Sequence, residues 1–258
     1  MVKRTPWLIC LSLVLAVAST VTCFADDSWK TVQGKNKLVI GFCAHYPPFE
    51  SRNLKTNDLE GFDVDLGRAL AREMGVDAEF VDAEWQGLLG GLQKGDFDVL
   101  ITCMAKSEAR AANVNMSDVY YELPDVIVVN ETNSDIHTKA DLKGKTVGVQ
   151  LGSGSEQIID RMGNTFKEVK RYNYNPEAFT DLKFNRIDAI VVGYAYAVNQ
   201  IKTTPDFKVV GKPLAKAEIV MVMKKGSDAL THQLNTALAT LRANKAYDAI
   251  QTQWLAID

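Results

Sequence analysis

The chain has 258 residues, of which 47% are hydrophobic and 24% charged, and its formal net charge is −3. That balance supports one or two folded domains with an ordinary core and excludes a disordered or fibrous chain. It also lacks the basic footprint that nucleic-acid binding requires.

The first segment reads as an export signal rather than as part of the fold. Lys3 and Arg4 precede an apolar run from Trp7 to about Val21, and Cys23, Phe24 and Ala25 close it. The run is short for a membrane span and ends in small residues, so residues 1–25 are expected to be a signal peptide cleaved after Ala25. Lipidation of Cys23 is the competing reading, and Thr20-Val21-Thr22 matches the usual lipoprotein pattern poorly. Of the four cysteines, Cys10 and Cys23 fall in this segment, leaving Cys43 and Cys103. Two exported thiols invite a disulfide, but sequence alone leaves open whether they pair. His45, His137 and His232 fall in no ligand spacing with them, so no metal site is expected.

A compact strand over 37–41 opens the folded part and runs into an aromatic loop stiffened by Pro47 and Pro48. Gly61 starts a helix with Asp63 as its expected N-cap. Phe62, Leu66, Ala69, Leu70 and Met74 form its apolar face, and Gly75 stops it. A strand at 78–81 and a helix at 85–93, carrying Leu88, Leu89 and Leu92, follow. The stretch 97–110 then reads as a buried strand handing over to a helix capped by Ser107, with Arg110 in its first turn. A strand that ends at a helix N-terminus is where open α/β sheets bind anions. On these residues alone, an Arg110 that is merely solvated explains the pattern as well.

A β-branched run over 125–130 leaves this first α/β unit. A second unit follows, with strands at 146–150, 169–172 and 187–192. Gly152-Ser153-Gly154-Ser155 leads into one helix, which runs through Met162, and Asn175-Pro176-Glu177 opens another, to Phe184. The sequence around Asp98 recurs around Asp188: helix end, tight turn, Asp, then buried strand. Two copies of one unit predict paired α/β lobes rather than a solenoid. A hydrophobic strand at 218–223 and helices at 228–242 and 246–254 complete the chain. The expected division is lobe 1 from 26–127 and 220–258, and lobe 2 from 128–219. Two crossover strands would join them and form a hinge above a cleft.

Taken in this order, the motifs resemble those of the family 3 periplasmic solute-binding proteins, the polar-amino-acid receptors of ABC transporters. The resemblance rests on Tyr46-Pro47-Pro48-Phe49, on Gly61-Phe62-Asp63-Val64-Asp65-Leu66 and on Gly95-Asp96-Phe97-Asp98. It rests also on Ser107 with Arg110, on Asp118-Val119-Tyr120-Tyr121, on the 141–149 segment and on Ile187-Asp188-Ala189. It implies two doubly wound α/β lobes of the periplasmic-binding-protein type II class. It implies a periplasmic receptor, expected to be a monomer without cofactor, that delivers an amino acid or related small carboxylate to an inner-membrane permease by closing around it.

By the same resemblance Tyr46 stacks on the ligand, Trp85 lines the pocket, and Thr102 and Cys103 border it. Arg110 holds the ligand carboxylate, helped by Ser107 and by the second-lobe turn at Gly152 and Ser153. Three positions depart from the pattern: Ala105, Cys43 and, above all, Gly193, followed by Tyr194. Gly193 stands where the family places the Asp that pairs with the ligand ammonium. Either Asp118, Glu122 or Glu218 replaces it, or the ligand lacks an α-amino group and Tyr46, Trp85 and Tyr194 wall a less acidic pocket. The alternative function is an enzyme of the cyclohexadienyl dehydratase type on the same fold. Its catalytic Glu falls here on Tyr196, which is no general acid at neutral pH. A dithiol redox role lacks the CxxC spacing.

Overall fold

The structure, a computed structural model, describes residues 26–256. The expected signal peptide and its cleavage site lie outside that range. Among the described residues no helix is long and apolar enough to cross a membrane.

The first half is a doubly wound sheet. Helix α1 (Ser28–Gly34) leads into strand β1 (Lys37–Phe42), and three short strands follow: β2 (His45–Tyr46), β3 (Glu50–Arg52) and β4 (Leu59–Glu60). These three form a small antiparallel flap, β2-β3-β4, at the end of β1. Helix α2 (Phe62–Glu73) comes next, then β5 (Asp77–Asp82), a 3-10 turn at Trp85–Gly87, α3 (Leu88–Lys94) and β6 (Val99–Leu100). Strands β5 and β6 pair with β1 in parallel on either side of it. Helix α4 (Glu108–Ala111) is a single turn.

Two long strands then join the halves: β7 (Val114–Asn130) and β11 (Phe207–Lys224). Between them lie a 3-10 turn at Lys139–Leu142, β8 (Thr146–Gln150), α5 (Gly154–Arg161), β9 (Glu168–Tyr172), α6 (Asn175–Lys183), β10 (Ala189–Gly193) and α7 (Tyr194–Thr203). Helices α8 (Asp228–Ala243) and α9 (Ala246–Leu255) return to pack on α2. The strands run β5-β1-β6-β11-β7-β10-β8-β9. Strand β11 lies between β6 and β7 in the first half, whereas β7 lies between β10 and β11 in the second.

The internal echo is structural. Asp98 accepts from the Val39 amide at 2.7 Å and donates its own amide to the Val39 carbonyl at 2.9 Å. Asp188 repeats both bonds with Thr146, at 2.7 Å and 2.9 Å. In each half an Asp entering a central strand ties it to the first strand of its unit, which is why the pattern repeats ninety residues apart.

Three expectations are corrected. The strands expected at 125–130 and 218–223 are only the apolar ends of 17- and 18-residue strands. The remaining stretches (Asn115 and Asp118; Lys212 and Lys216) are polar because they meet water, while the buried Ser117 uses its hydroxyl to accept from the Met221 amide. Residue 63 is not a cap. The α2 cap is Gly61, at φ +129°, where an added Cβ would lie 2.2 Å from the Phe49 carbonyl oxygen. Asp63 is buried one position into the helix. Finally, Tyr194 opens helix α7, an element the hydrophobic pattern did not disclose.

Candidate functional site

Strands β1, β6 and β8 all end toward a cavity between the halves, the location open α/β sheets favour for ligands. From the first half Cys43, His45, Tyr46, Glu50, Trp85, Thr102, Cys103 and Ala105 face it. Leu123 and Asp125 on β7, with Ala217 and Ile219 on β11, form its back. Gln150, Ser153, Gly154 and Ser155 supply the opposite side from the β8–α5 turn.

In the first wall Glu50 belongs to a buried carboxyl pair, with Asp63 behind it. Glu50 accepts a 2.8 Å bond from the Thr102 hydroxyl, which in turn accepts from the Cys43 amide at 3.1 Å. Asp63 accepts from the Cys103 amide at 2.5 Å and the Tyr120 hydroxyl at 3.0 Å. Those donors favour an ionised Asp63, yet burial still pushes its pKa up to about 6. Glu50 is driven well above the carboxylate range by burial and then by the Asp63 charge. Burial and the closeness of the two carboxyls therefore favour one shared proton over two charges. The network also fixes Cys103 at φ +45°, a left-handed conformation for a residue with a side chain.

Asp125 stands apart. Its Oδ1 accepts from the Ser155 hydroxyl, and its Oδ2 has no partner although the residue is only 3% exposed. Burial raises its pKa to about 6, against the smaller opposing effects of Ser155 and Arg161.

Direct bonds cross between the halves. Trp85 Nε1 and the Gln86 side-chain amide both donate to the Leu151 carbonyl, at 3.0 Å and 2.8 Å. The Arg110 guanidinium donates to the Ala105 carbonyl at 2.6 Å and to the Gly152 carbonyl on the far side. Burial lowers the Arg110 pKa. The Gly152 amide is taken by Glu156 Oε2 at 2.6 Å, and Ser153 caps α5 by accepting from the Glu156 amide.

Of the residues expected at the site, Tyr46, Trp85, Thr102, Cys103 and Ser153 line the cavity. Arg110 and Gly152 are not in its wall; Arg110 reaches the carbonyls of the wall residue Ala105 and of Gly152, next to the wall residue Ser153. Ser107 caps the single turn α4 and borders a separate outer groove. Tyr194 is 38% exposed and does not line the cavity. Gly193 sits behind Tyr46, where a Cβ would come within 2.6 Å of the Tyr46 hydroxyl and 2.5 Å of Leu123. Tyr46 stacks on Tyr196 with ring centres 4.5 Å apart. Asp118, Glu122 and Glu218, considered as substitute carboxylates, are not in the cavity wall; Glu50 and Asp125 are. Cys43 and Cys103 are both free thiols rather than a disulfide, and burial pushes the Cys43 pKa up to about 12. Among the described residues no group of acidic, His and Cys side chains is arranged to hold a metal.

Glu50, Asp63 and Asp125 are the functional candidates that sequence reasoning missed. An acidic residue inside an apolar helix face or a β-branched strand was the available sign, and it was read as capping for Asp63.

Two α/β halves enclosing a polar cavity define a shell for a small solute. The chain belongs to the bacterial extracellular solute-binding proteins, family 3, whose family model matches residues 38–257. It is 36% identical to an L-arginine-binding protein of Pseudomonas aeruginosa, over 96% of this chain and 95% of that one. It is 30% identical to the L-cystine-binding protein TcyJ of Escherichia coli, over 96% and 94%. An ancestral arginine-binding protein bound to arginine superposes with a TM-score of 0.81 at 36% identity, over 86% of this chain and 99% of that one. The ancestral amino acid-binding protein AncCDT-1, a precursor of cyclohexadienyl dehydratase, superposes with a TM-score of 0.81 at 30% identity, over 87% and 98%. The fold is thus that of the two-lobed, type II periplasmic binding proteins.

Proposed function

We propose that this protein is an exported receptor that captures an amino acid or related small carboxylate and presents it to the permease of an ABC transporter. The observation that carries the reading is the rim. A half-buried guanidinium from one half donates to a backbone carbonyl of the other and to the carbonyl of Ala105, a residue of the cavity wall. Arg110 is thereby positioned to exchange the Gly152 carbonyl for a ligand carboxylate, each charge-assisted bond contributing about 1.5–3 kcal/mol. Tyr46, Trp85, Thr102, Cys103 and Ser153 form the walls of this site.

Closure follows from the same geometry. A ligand contacting both halves favours the arrangement in which Trp85, Gln86 and Arg110 reach Leu151 and Gly152. The hinge is the stretch of β7 and β11 where Asp125 faces Ala215 and the register shifts between Val210 and Ala215. That point falls a few residues before the lobe boundaries expected at 127/128 and 219/220. Export to the periplasm, with residues 1–25 removed, is part of this reading, as are a monomeric state and the absence of nucleic-acid partners.

Screening amino acids and simple carboxylates by thermal shift, with small-angle scattering of the responding complexes, tests it. Raised melting temperature and a smaller radius of gyration are expected; no response to any compound refutes it. The enzyme reading is disfavoured because the position matched to the dehydratase acid is Tyr196. Its phenol is buried and raised further in pKa by that burial. Incubation with prephenate or arogenate is expected to yield no aromatic product, and product formation would reverse the assignment.

A further inference from the structure

Glu50 and Asp63 stand together because the chain folds back on itself through Gly61. The Phe62 and Asp63 amides donate to the Pro48 and Phe49 carbonyls, at 2.9 Å and 2.8 Å, which sets the start of α2 against the start of β3. Both residues are only 1% exposed, and their carboxyls lie within hydrogen-bonding reach of each other. Each keeps one oxygen, Glu50 Oε2 and Asp63 Oδ1, that receives no bond from any N–H or O–H. Among the described residues no lysine or arginine pairs with either; Arg52 on β3 turns to Asp82 instead, at 3.1 Å. The titratable groups that act on the pair from other elements are Tyr46 on β2, Asp82 on β5, Tyr120 on β7, Tyr247 on α9 and the Cys43 and Cys103 thiols. None of them is a cation. A proton between the two carboxyls supplies the missing donor and removes one of two buried charges.

We infer that Glu50 and Asp63 are positioning residues, and that the proton held between them keeps the Thr102–Cys103 segment of the cavity wall in its ligand-facing shape. The inference rests on the receptor reading for its effect on affinity. Cys43, Glu50, Thr102 and Cys103 all line the cavity, and the wall hangs on the pair at several points. Glu50 fixes the Thr102 hydroxyl, and that hydroxyl fixes the Cys43 amide. Asp63 holds the Cys103 amide and the Tyr120 hydroxyl, and the same hydroxyl lies 3.2 Å from the Cys103 amide. Cys103 at φ +45° has a backbone shape that persists only where surrounding bonds impose it. Loss of the proton leaves two charges in one buried pocket. Their repulsion parts the side chains and takes the acceptors away from Thr102 and Cys103, so binding weakens as pH rises and the proton leaves.

Infrared difference spectra of the ligand-free protein read the proton directly. Wild type at about pH 7 should show the carbonyl stretch of a buried protonated carboxyl that Glu50→Gln and Asp63→Asn both lack, since an amide N–H then takes the place of the proton and leaves the other carboxylate ionised. Absence of that band from wild type overturns the inference. Calorimetry with L-arginine, L-glutamine and L-cystine tests the positioning. The amide variants should bind within about twofold of wild type, whereas Glu50→Ala and Asp63→Ala, folded by circular dichroism, should bind about tenfold more weakly. From about pH 7 to about pH 9, wild-type affinity should fall relative to that of Glu50→Gln, which has no such proton to lose. Parallel pH profiles, amide variants as weak as the alanine ones, or alanine variants as tight as wild type overturn the inference and leave the receptor reading intact. Hydrogen exchange of the Cys103 amide decides the matter whether or not any solute binds. Protection in wild type and Asp63→Asn with exposure in Asp63→Ala is expected, and equal protection in all three overturns the inference.

Discussion

Asp125→Asn should change how the stability of the ligand-free protein depends on pH. Burial lifts the Asp125 pKa from the ordinary 3.8 to about 6. The native carboxyl therefore holds its proton more tightly than the unfolded one. Between about pH 4 and 6 the native state carries more protons, so the contribution of Asp125 to stability falls as pH rises through that window. Below about pH 4 both states are protonated and there is no penalty. Above about pH 6 the penalty is complete. At about 1.36 kcal/mol per pH unit of difference, it amounts to about 3 kcal/mol. Asparagine keeps the shape and the Ser155 bond but carries no charge. Burying its unpaired amide hydrogens costs something too, at every pH, so the decisive quantity is a difference between two conditions. Urea unfolding of wild type and variant at pH 4 and pH 8 should show the variant gaining about 3 kcal/mol, relative to wild type, on going from the lower to the higher pH. The same relative stability at both values would refute the claim that Asp125 is buried and charged in the empty protein. Confirmation would mean that Asp125 is held as a buried charge at a cost in stability, as groups at binding sites often are.

Arg110→Ala should weaken binding of whichever amino acid proves tightest by about tenfold to a hundredfold. Its melting temperature should move only a few degrees; calorimetry showing unchanged affinity would remove Arg110 from the site. Gly193→Asp places a Cβ within 2.6 Å of Tyr46 and Leu123 atoms, and should destabilise the fold by about 1–3 kcal/mol rather than improve binding. A variant as stable as wild type in urea would contradict that packing. Trp85→Phe combined with Gln86→Ala removes both donors to the Leu151 carbonyl, and small-angle scattering of the liganded variant should show a larger radius of gyration than liganded wild type. Cys43 and Cys103 should titrate as two thiols after denaturation without reductant, with Cys43 slow to react beforehand because its thiol is buried and stays protonated. A mature chain with no titratable thiol would show that they pair after all.

Much of this protein was written locally. The period of apolar residues located most of the helices and the short parallel strands. The Asp98 and Asp188 turns disclosed the twofold plan, because each makes the same two backbone bonds to the first strand of its unit. Signals of that kind reach a few residues along the chain, and sequence displays them directly. The long strands β7 and β11 were half hidden, since their solvent-facing stretches carry polar residues that read as loop.

The electrostatics of the cavity belonged to the tertiary structure. Whether Glu50, Asp63 and Asp125 are solvated or buried depends on segments far apart in sequence closing over them, and an acidic residue looks the same in either setting. Cross-strand register set Asp125 opposite Gly193, and packing of Tyr46 on Tyr196 decided that only glycine fits there. Sequence alone thus determined the two-unit architecture through short-range periodicity and turns. Which carboxylates face the cavity was decided only when the halves came together, because charge burial is a property of the assembled surface.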